Sequence, residues 1–243
     1  MKPEMIMQKI LALALVLCAT VFAGEDPSVP APRNKDYFWM SMGTWNEKHA
    51  SFVKRAKEGK VDLLFLGDSI TEGWNNNAVW QKNYAPLNAV NFGIGGDVTQ
   101  NVLWRITTGG EIEGLTPKVA VLMIGTNNFG LHGDNEAAVT KGVTTLVQTL
   151  RTKLPNTKII LLAIFPRDQK ADSPMRKKIK TVNDEIAKLD DGKMIRYLDI
   201  GPKLASADGS LDKAIMPDFL HLSVKGYEIW ADAMGPLLAE LMK

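Results

Sequence analysis

The sequence predicts an α/β domain in which a parallel sheet is covered by helices on both faces. Three observations carry this reading. Short runs that are apolar throughout recur along the chain, as strands buried on both sides are. Longer stretches between them repeat apolar residues at helical spacing. Strict alternation of the two implies parallel pairing through helical crossovers.

The elements follow in order. A helix is expected over Trp45–Lys57 and a first strand over Val61–Leu66. A second short strand at 88–92 is closed by Gly93-Ile94-Gly95-Gly96. Asp97 then stands where it would cap a helix carrying Val98, Val102 and Ile106. The run Val119–Ile124 is a third strand, closed by Gly125-Thr126-Asn127. A helix over Asn135–Lys153 places Val139, Val143, Leu146, Val147 and Leu150 on one face. Ile159–Phe165 is a fourth strand, which Pro166 stops. In the next helix Ile179, Val182, Ile186 and Leu189 form the apolar face, and Arg176, Lys177, Lys178 and Lys180 read as its solvated face. A fifth strand spans Ile195–Ile200, and the last helix begins after Ser223 and buries Tyr227, Trp230, Met234, Leu237 and Leu241. No internal repeat and no second domain is expected.

The chain has 243 residues, 45% hydrophobic and 23% charged, enough for one globular core. Residues 1–23 read as a secretory leader. Lys2 and Lys9 precede an apolar centre at Ile10–Leu17, and Val21-Phe22-Ala23 offers small residues for cleavage before Gly24. The apolar run is too short to span a bilayer, so stable membrane insertion after processing is not expected. The expected location is secreted or periplasmic. Cys18, the only cysteine, lies in the leader, so the processed chain has no disulfide framework. Lipid attachment at Cys18 is disfavoured by the bulk of Leu17. Residues 24–37, with Pro27, Pro30 and Pro32, read as an extended spacer. Loss of Lys2, Lys9 and Glu4 lowers the net charge from +2 to +1, a balance that points to neither nucleic acid nor an anionic membrane.

The chemistry is carried by residues far apart in sequence. Gly67-Asp68-Ser69 ends the first strand and sets a hydroxyl where open α/β sheets bind ligands. Ser69 alone could be a turn or cap residue. Asp218 and His221, three residues apart, supply an orienter and a base in the chain order Ser…Asp…His. Donors for a developing oxyanion are expected from the Ser69 and Gly96 backbone N–H groups and the Asn127 amide, with Asn128 as the competing amide. Gly93–Gly96 does not fit a dinucleotide fingerprint, since Val98 stands where glycine is needed. Of three histidines, His49 and His132 read as structural or surface residues, and none has a metal-ligand partner at helical spacing. No metal or cofactor is expected. Trp74 is close enough to Ser69 in sequence to border the site.

The blocks Gly67-Asp68-Ser69, Gly93-Ile94-Gly95-Gly96-Asp97, Gly125-Thr126-Asn127-Asn128 and Asp218-Phe219-Leu220-His221 resemble the four blocks of the SGNH, or GDSL-type, hydrolases. Trp39-Met40-Ser41, His49 with Phe52-Val53, Asn91-Phe92, Val102-Leu103-Trp104-Arg105 and Pro166-Arg167 are similar to one branch, the catalytic subunits of platelet-activating-factor acetylhydrolase and bacterial acetylesterases. The resemblance covers about 38–241. It implies an SGNH-type hydrolase domain over 38–243 with a three-layer, flavodoxin-like fold and a five-stranded parallel sheet. It further implies metal-independent ester hydrolysis through an acyl-enzyme. By position it assigns Ser69, Asp218 and His221 to the triad, Ser69, Gly96 and Asn127 to the oxyanion hole, and Ile70, Thr126 and Leu220 to a pocket for a short acyl group. The run Thr71-Glu72-Gly73-Trp74 looks more like the carbohydrate-esterase relatives. With the leader, it directs the expectation to a glycan or other small acetyl ester. A lipase for longer acyl chains and a non-catalytic binding domain are the competing functions. Association into a homodimer is left open.

Overall fold

The computed structural model describes residues 25–75 and 77–243; the expected leader, with Cys18, lies outside them. The described residues form a parallel sheet of β1 (Leu63–Gly67), β2 (Ala89–Gly93), β3 (Val119–Met123), β4 (Lys158–Leu162) and β5 (Ile195–Leu198), in the order β2-β1-β3-β4-β5. Around it lie α1 (Met42–Lys57), α2 (Ser69–Glu72), α3 (Ala78–Asn83), α4 (Thr99–Ile106), α5 (Glu136–Lys153), α6 (Pro174–Ile186), α7 (Gly201–Leu204) and α8 (Val224–Leu241).

The sheet is buried on both faces because each strand alternates between two cores. Leu64, Leu66, Ala120, Leu122, Ile159 and Leu161 pack with α1, α4, α5 and α6. Leu63, Phe65, Val119, Val121, Ile160 and Leu162 pack with α3, α7 and α8. Three layers result, as the sequence predicts. The helix starts are set by side-chain caps. Ser41, Asn135, Ser173 and Ser223 each accept a hydrogen bond from a first-turn N–H, and Pro174 follows Ser173 at the first helical position.

The fourth strand ends earlier than its apolar run. Ala163, Ile164 and Phe165 stay buried, but the Ile164 N–H donates to Asn183 Oδ1 at 2.8 Å and Asn183 Nδ2 donates to Ile164 O at 2.9 Å. An α6 side chain there replaces the ladder. Asp97 caps no helix. Val98 holds the cap position of α4, and the Thr99 N–H is satisfied by Asn128 Oδ1 at 3.0 Å. The basic face of α6 is solvated at Lys177 and Lys180, whereas Arg176 is half-buried and donates to Gly209 O at 2.9 Å.

Residues 25–37, expected as an extended spacer, are anchored on the domain as a strap. The Ala31 N–H donates to Gln100 O at 3.1 Å, Asn101 Nδ2 to Ala31 O at 3.0 Å, and Thr99 Oγ1 to Pro27 O at 2.9 Å. Arg33, within the strap, is buried against the domain. Trp74 does not border the site. It is fully buried among Phe65, Trp80, Tyr84, Tyr227 and Trp230. Among the described residues no helix is long and apolar enough to cross a membrane.

Trp230 lies at the centre of that aromatic cluster, 5.0 Å from both Trp74 and Phe165 by ring centroids. Trp230→Ala is expected to destabilise the fold by about 3–5 kcal/mol in urea unfolding, through lost transfer energy and a cavity. Val224→Ala, at an exposed position, is expected to change stability by less than about 0.5 kcal/mol.

Candidate active site

In this strand order β1 lies between β2 and β3, and the crevice beyond their carboxyl ends is where an open sheet takes a ligand. Ser69 begins α2 directly after β1. Asp68 caps that short helix by accepting from the Ile70 N–H at 3.0 Å. Burial pushes the Asp68 carboxyl up to about 7, so near neutral pH it carries a proton part of the time. The Tyr227 hydroxyl of α8 donates to Ile70 O at 2.7 Å and ties the same turn to the far layer.

The three residues of the expected triad meet. Ser69 Oγ lies 2.9 Å from His221 Nε2, and His221 Nδ1 lies 2.6 Å from Asp218 Oδ2. The other Asp218 oxygen accepts from the Leu220 N–H at 3.0 Å and the His221 N–H at 2.7 Å. Burial pushes the Asp218 carboxyl up. The His221 ring and the two N–H groups outweigh it and hold the group below its ordinary value. Asp218 is therefore a carboxylate at neutral pH, able to fix the imidazole tautomer and to balance an imidazolium. The turn between them is strained, since Phe219 sits in the left-handed region at φ 59°. The Asp168 N–H holds Phe219 O at 3.0 Å, and Asp168 is itself left-handed at φ 65°. Two loops from different strand ends thus clasp each other and aim His221 at Ser69.

The groups expected to serve as oxyanion donors stand on the same rim. The N–H groups of Ser69 and Gly96 donate to no described acceptor, and both residues line the cleft with Asn127. Gly96 adopts φ +77°, which a side chain would strain. The Asn127 amide donates to Asp97 O at 3.0 Å. Asn128, the competing amide, is occupied structurally, bonding the Thr99 N–H, Gln100 Oε1 and Asp134 Oδ2.

A buried charge chain supports this loop from behind. Asp97 Oδ1 accepts from Trp45 Nε1 at 2.7 Å and from Arg33 Nη2 at 3.2 Å. Asp97 Oδ2 lies 2.9 Å from Arg105 Nε, in contact though not aligned as a hydrogen bond. Arg105 continues to Glu111 at 2.6 Å, and Glu111 to His49 at 2.7 Å. Arg33 Nη2 also donates to Gly95 O at 2.5 Å. Burial pushes the Asp97 carboxyl up to about 6 against the pull of Arg105 and Arg33. From the cleft side, the Gly95 N–H donates to Glu72 Oε2 at 2.6 Å, and Glu72 pairs with Lys48 at 2.5 Å. Gly96 is therefore flanked by Gly95, whose backbone N–H and carbonyl are both bonded, and by Asp97, whose carboxylate and backbone oxygen are both engaged.

The cleft encloses about 390 Å³. Trp39, Met40, Leu131 and Leu220 give it apolar walls, and Glu72 and Arg167 are its charged groups. Of the residues the resemblance assigns to the acyl pocket, Leu220 lines the cleft. Ile70 and Thr126 are each 1% exposed and lie outside its lining. His132 lies 3.4 Å from the Tyr37 hydroxyl and takes no part in the relay. Arg33, Trp39, Glu72 and Arg167 were not identified from sequence as site residues. The blocks Trp39-Met40-Ser41, Thr71-Glu72-Gly73-Trp74 and Pro166-Arg167 carry three of them, and Arg33 has no local signal. Among the described residues no cluster of His, Cys, Asp and Glu is placed to hold a metal ion.

Because Arg33 holds Gly95 and Asp97, its loss is expected to loosen the oxyanion donors. Arg33→Met is expected to slow labelling of Ser69 by an organophosphonate about tenfold or more. Arg33→Lys should restore part of the rate in protein with native circular dichroism. Labelling at the native rate in Arg33→Met would detach the strap from catalysis.

The GDSL-like Lipase/Acylhydrolase family matches residues 65–229. Platelet-activating factor acetylhydrolase IB subunit alpha1 of Bos taurus is 36% identical over 201 residues, which is 82% of this chain and 84% of that protein. A GDSL-like lipase from Bacteroides thetaiotaomicron superposes with a TM-score of 0.63 at 19% identity, over 81% of this chain and 96% of that one. An acetylxylan esterase from Geobacillus stearothermophilus superposes with a TM-score of 0.58 at 21% identity, over 75% and 94%. At such identities the two structural likenesses speak for the fold. The family match spans Ser69, Gly96, Asn127, Asp218 and His221, and the chain belongs to the GDSL-like lipase/acylhydrolase family, a carboxylic ester hydrolase.

Proposed function

We propose that the protein is an exported esterase that removes short acyl groups, acetyl above all, from a carbohydrate or another small ester. The observation that carries the chemistry is the continuous relay from Ser69 Oγ through His221 to Asp218, beside amides with no described acceptor. His221 Nε2 takes the Ser69 proton as Oγ attacks the ester carbonyl. The Ser69 and Gly96 N–H groups and the Asn127 amide stabilise the oxyanion. The C–O bond to the alcohol then breaks, and His221 returns the proton to the departing oxygen. Water, deprotonated by His221, attacks the acyl-Ser69 ester and releases the acid, and Ser69 recovers its proton.

The acetyl preference is supported by the acetylhydrolase name of the bovine relative and by Leu220, which lines the cleft beside His221. The carbohydrate reading draws on the acetylxylan esterase of the same fold and on Trp39, whose ring offers a flat apolar wall. Export rests on the leader expected at 1–23. A longer acyl chain is the second reading, favoured by the apolar walls of Met40 and Leu131.

Ser69→Ala is expected to lower ester turnover about 10⁴-fold or more, with the fold intact. Unchanged turnover would overturn the mechanism, whereas failure of folded protein to take an organophosphonate at Ser69 would favour a binding role. Asn127→Ala is expected to lower kcat about 10²–10³-fold. Across 4-nitrophenyl acetate, butyrate and octanoate, kcat/KM is expected to fall with chain length. A rise toward octanoate would establish the lipase reading instead. The intact mass of protein recovered outside the expressing cell should correspond to a start near Gly24.

A further inference from the structure

We propose that Arg167 is a specificity residue that receives an anionic group, a carboxylate or a phosphate, carried by the ester substrate. The proposal rests on the esterase reading above. If the acyl group is acetyl, which has no charge, the anion belongs to the alcohol part.

Arg167 follows Pro166 in the loop after β4 and lines the same cleft as Ser69, His221 and Asn127. Neutral groups hold it there. Nη1 donates to Thr126 Oγ1 at 3.2 Å and to Thr126 O at 3.3 Å. The guanidinium lies against Gly130, where an added Cβ would come within 2.8 Å of Nη1. Nε is buried without a partner, and Nη2 donates to no described acceptor.

The contrast with the other arginines near the site is one of charge. Arg33 meets Asp97, and Arg105 meets Asp97 and Glu111. Among the described residues no carboxylate lies within ion-pair distance of Arg167. Glu72, the other charged group of the cleft, is already committed to Lys48 and the Gly95 N–H. A half-buried guanidinium, fixed in a cleft with no carboxylate in ion-pair contact and only the fully buried Asp68 near enough to feel its charge, favours an anion with oxygens to accept its free N–H groups. Trp39, Met40, Leu131 and Leu220 would cover the uncharged part of the same molecule.

The test compares three acetyl esters: methyl 4-acetoxybenzoate, which is neutral, 4-acetoxybenzoate, and 4-acetoxyphenyl phosphate. Each variant is compared with the native enzyme on the same ester, so that intrinsic reactivity cancels. Loss on the neutral ester in Arg167→Gln measures what Arg167 does for Thr126. On at least one anionic ester the loss in kcat/KM is expected to exceed that by about tenfold or more. Arg167→Lys should keep part of the difference, and added salt should lower the native enzyme's preference for the anion. The anion with the larger excess loss identifies carboxylate or phosphate. Equal fractional losses on all three esters would make Arg167 a positioning residue for Thr126 alone and overturn the proposal. No loss on any of them would overturn it equally. Turnover of the neutral ester with no Arg167-dependent selection removes this inference and leaves the esterase. Turnover of none by folded native protein removes both.

Discussion

The catalytic rim depends on one buried carboxylate. Asp97 has no solvent exposure, and an ion so placed is unfavourable by several kcal/mol unless its partners are complete. Its partners come from three parts of the chain: Arg33 from the N-terminal strap, Trp45 from α1 and Arg105 from α4. Its own backbone oxygen receives the Asn127 amide. The loop that presents Gly96 is thus tied to the strap, to α1, to α4 and to the loop after β3. A donor set aimed at a developing charge works without reorganising at the moment of reaction, and this arrangement supplies that rigidity.

The relay itself is built differently. Asp218 and His221 lie on a largely exposed turn after the fifth strand, and their geometry comes from local hydrogen bonds and backbone strain rather than from deep burial. Phe219 in the left-handed region is unfavourable for a bulky residue by about 1–3 kcal/mol. It persists because the turn closes on the Asp218 carboxylate and is held by the Asp168 N–H. The nucleophile is anchored at the opposite side by Asp68 and by Tyr227. One half of the site is therefore rigid by charge burial and the other by a constrained turn, and the cleft lies between them.

Much of this was legible in the sequence. Apolar runs marked the central strands β1, β3 and β4, because a strand covered on both faces has no solvated side to alternate with, whereas Asn91 in β2 and Arg196 in β5 fall on the half-buried outer strands. Ser69, Asp218, His221, Gly96 and Asn127 were legible as local blocks at strand ends, and the structure brings them together. What was not legible depends on contacts across the fold. Asp97 beside an apolar helical pattern reads as a cap, since nothing local reveals that Arg33 and Arg105 draw its side chain inward. A segment with three prolines reads as a spacer, since nothing local reveals that its Arg33 reaches into the domain to Asp97. Trp74 is five residues from the nucleophile, yet the short helix turns it into the opposite core. Ile70 and Thr126 adjoin site residues in sequence, but their side chains are buried outside the cleft.

The central claim is that Ser69 carries the acyl group between two half-reactions. Its most direct test is acid quench of the protein during turnover of 4-nitrophenyl acetate, followed by peptide mass spectrometry. The account predicts an acetyl group on the peptide containing Ser69, on that hydroxyl and on no other, appearing within the first turnover. Steady turnover with Ser69 unmodified, or with the acetyl group on a different residue, would contradict it.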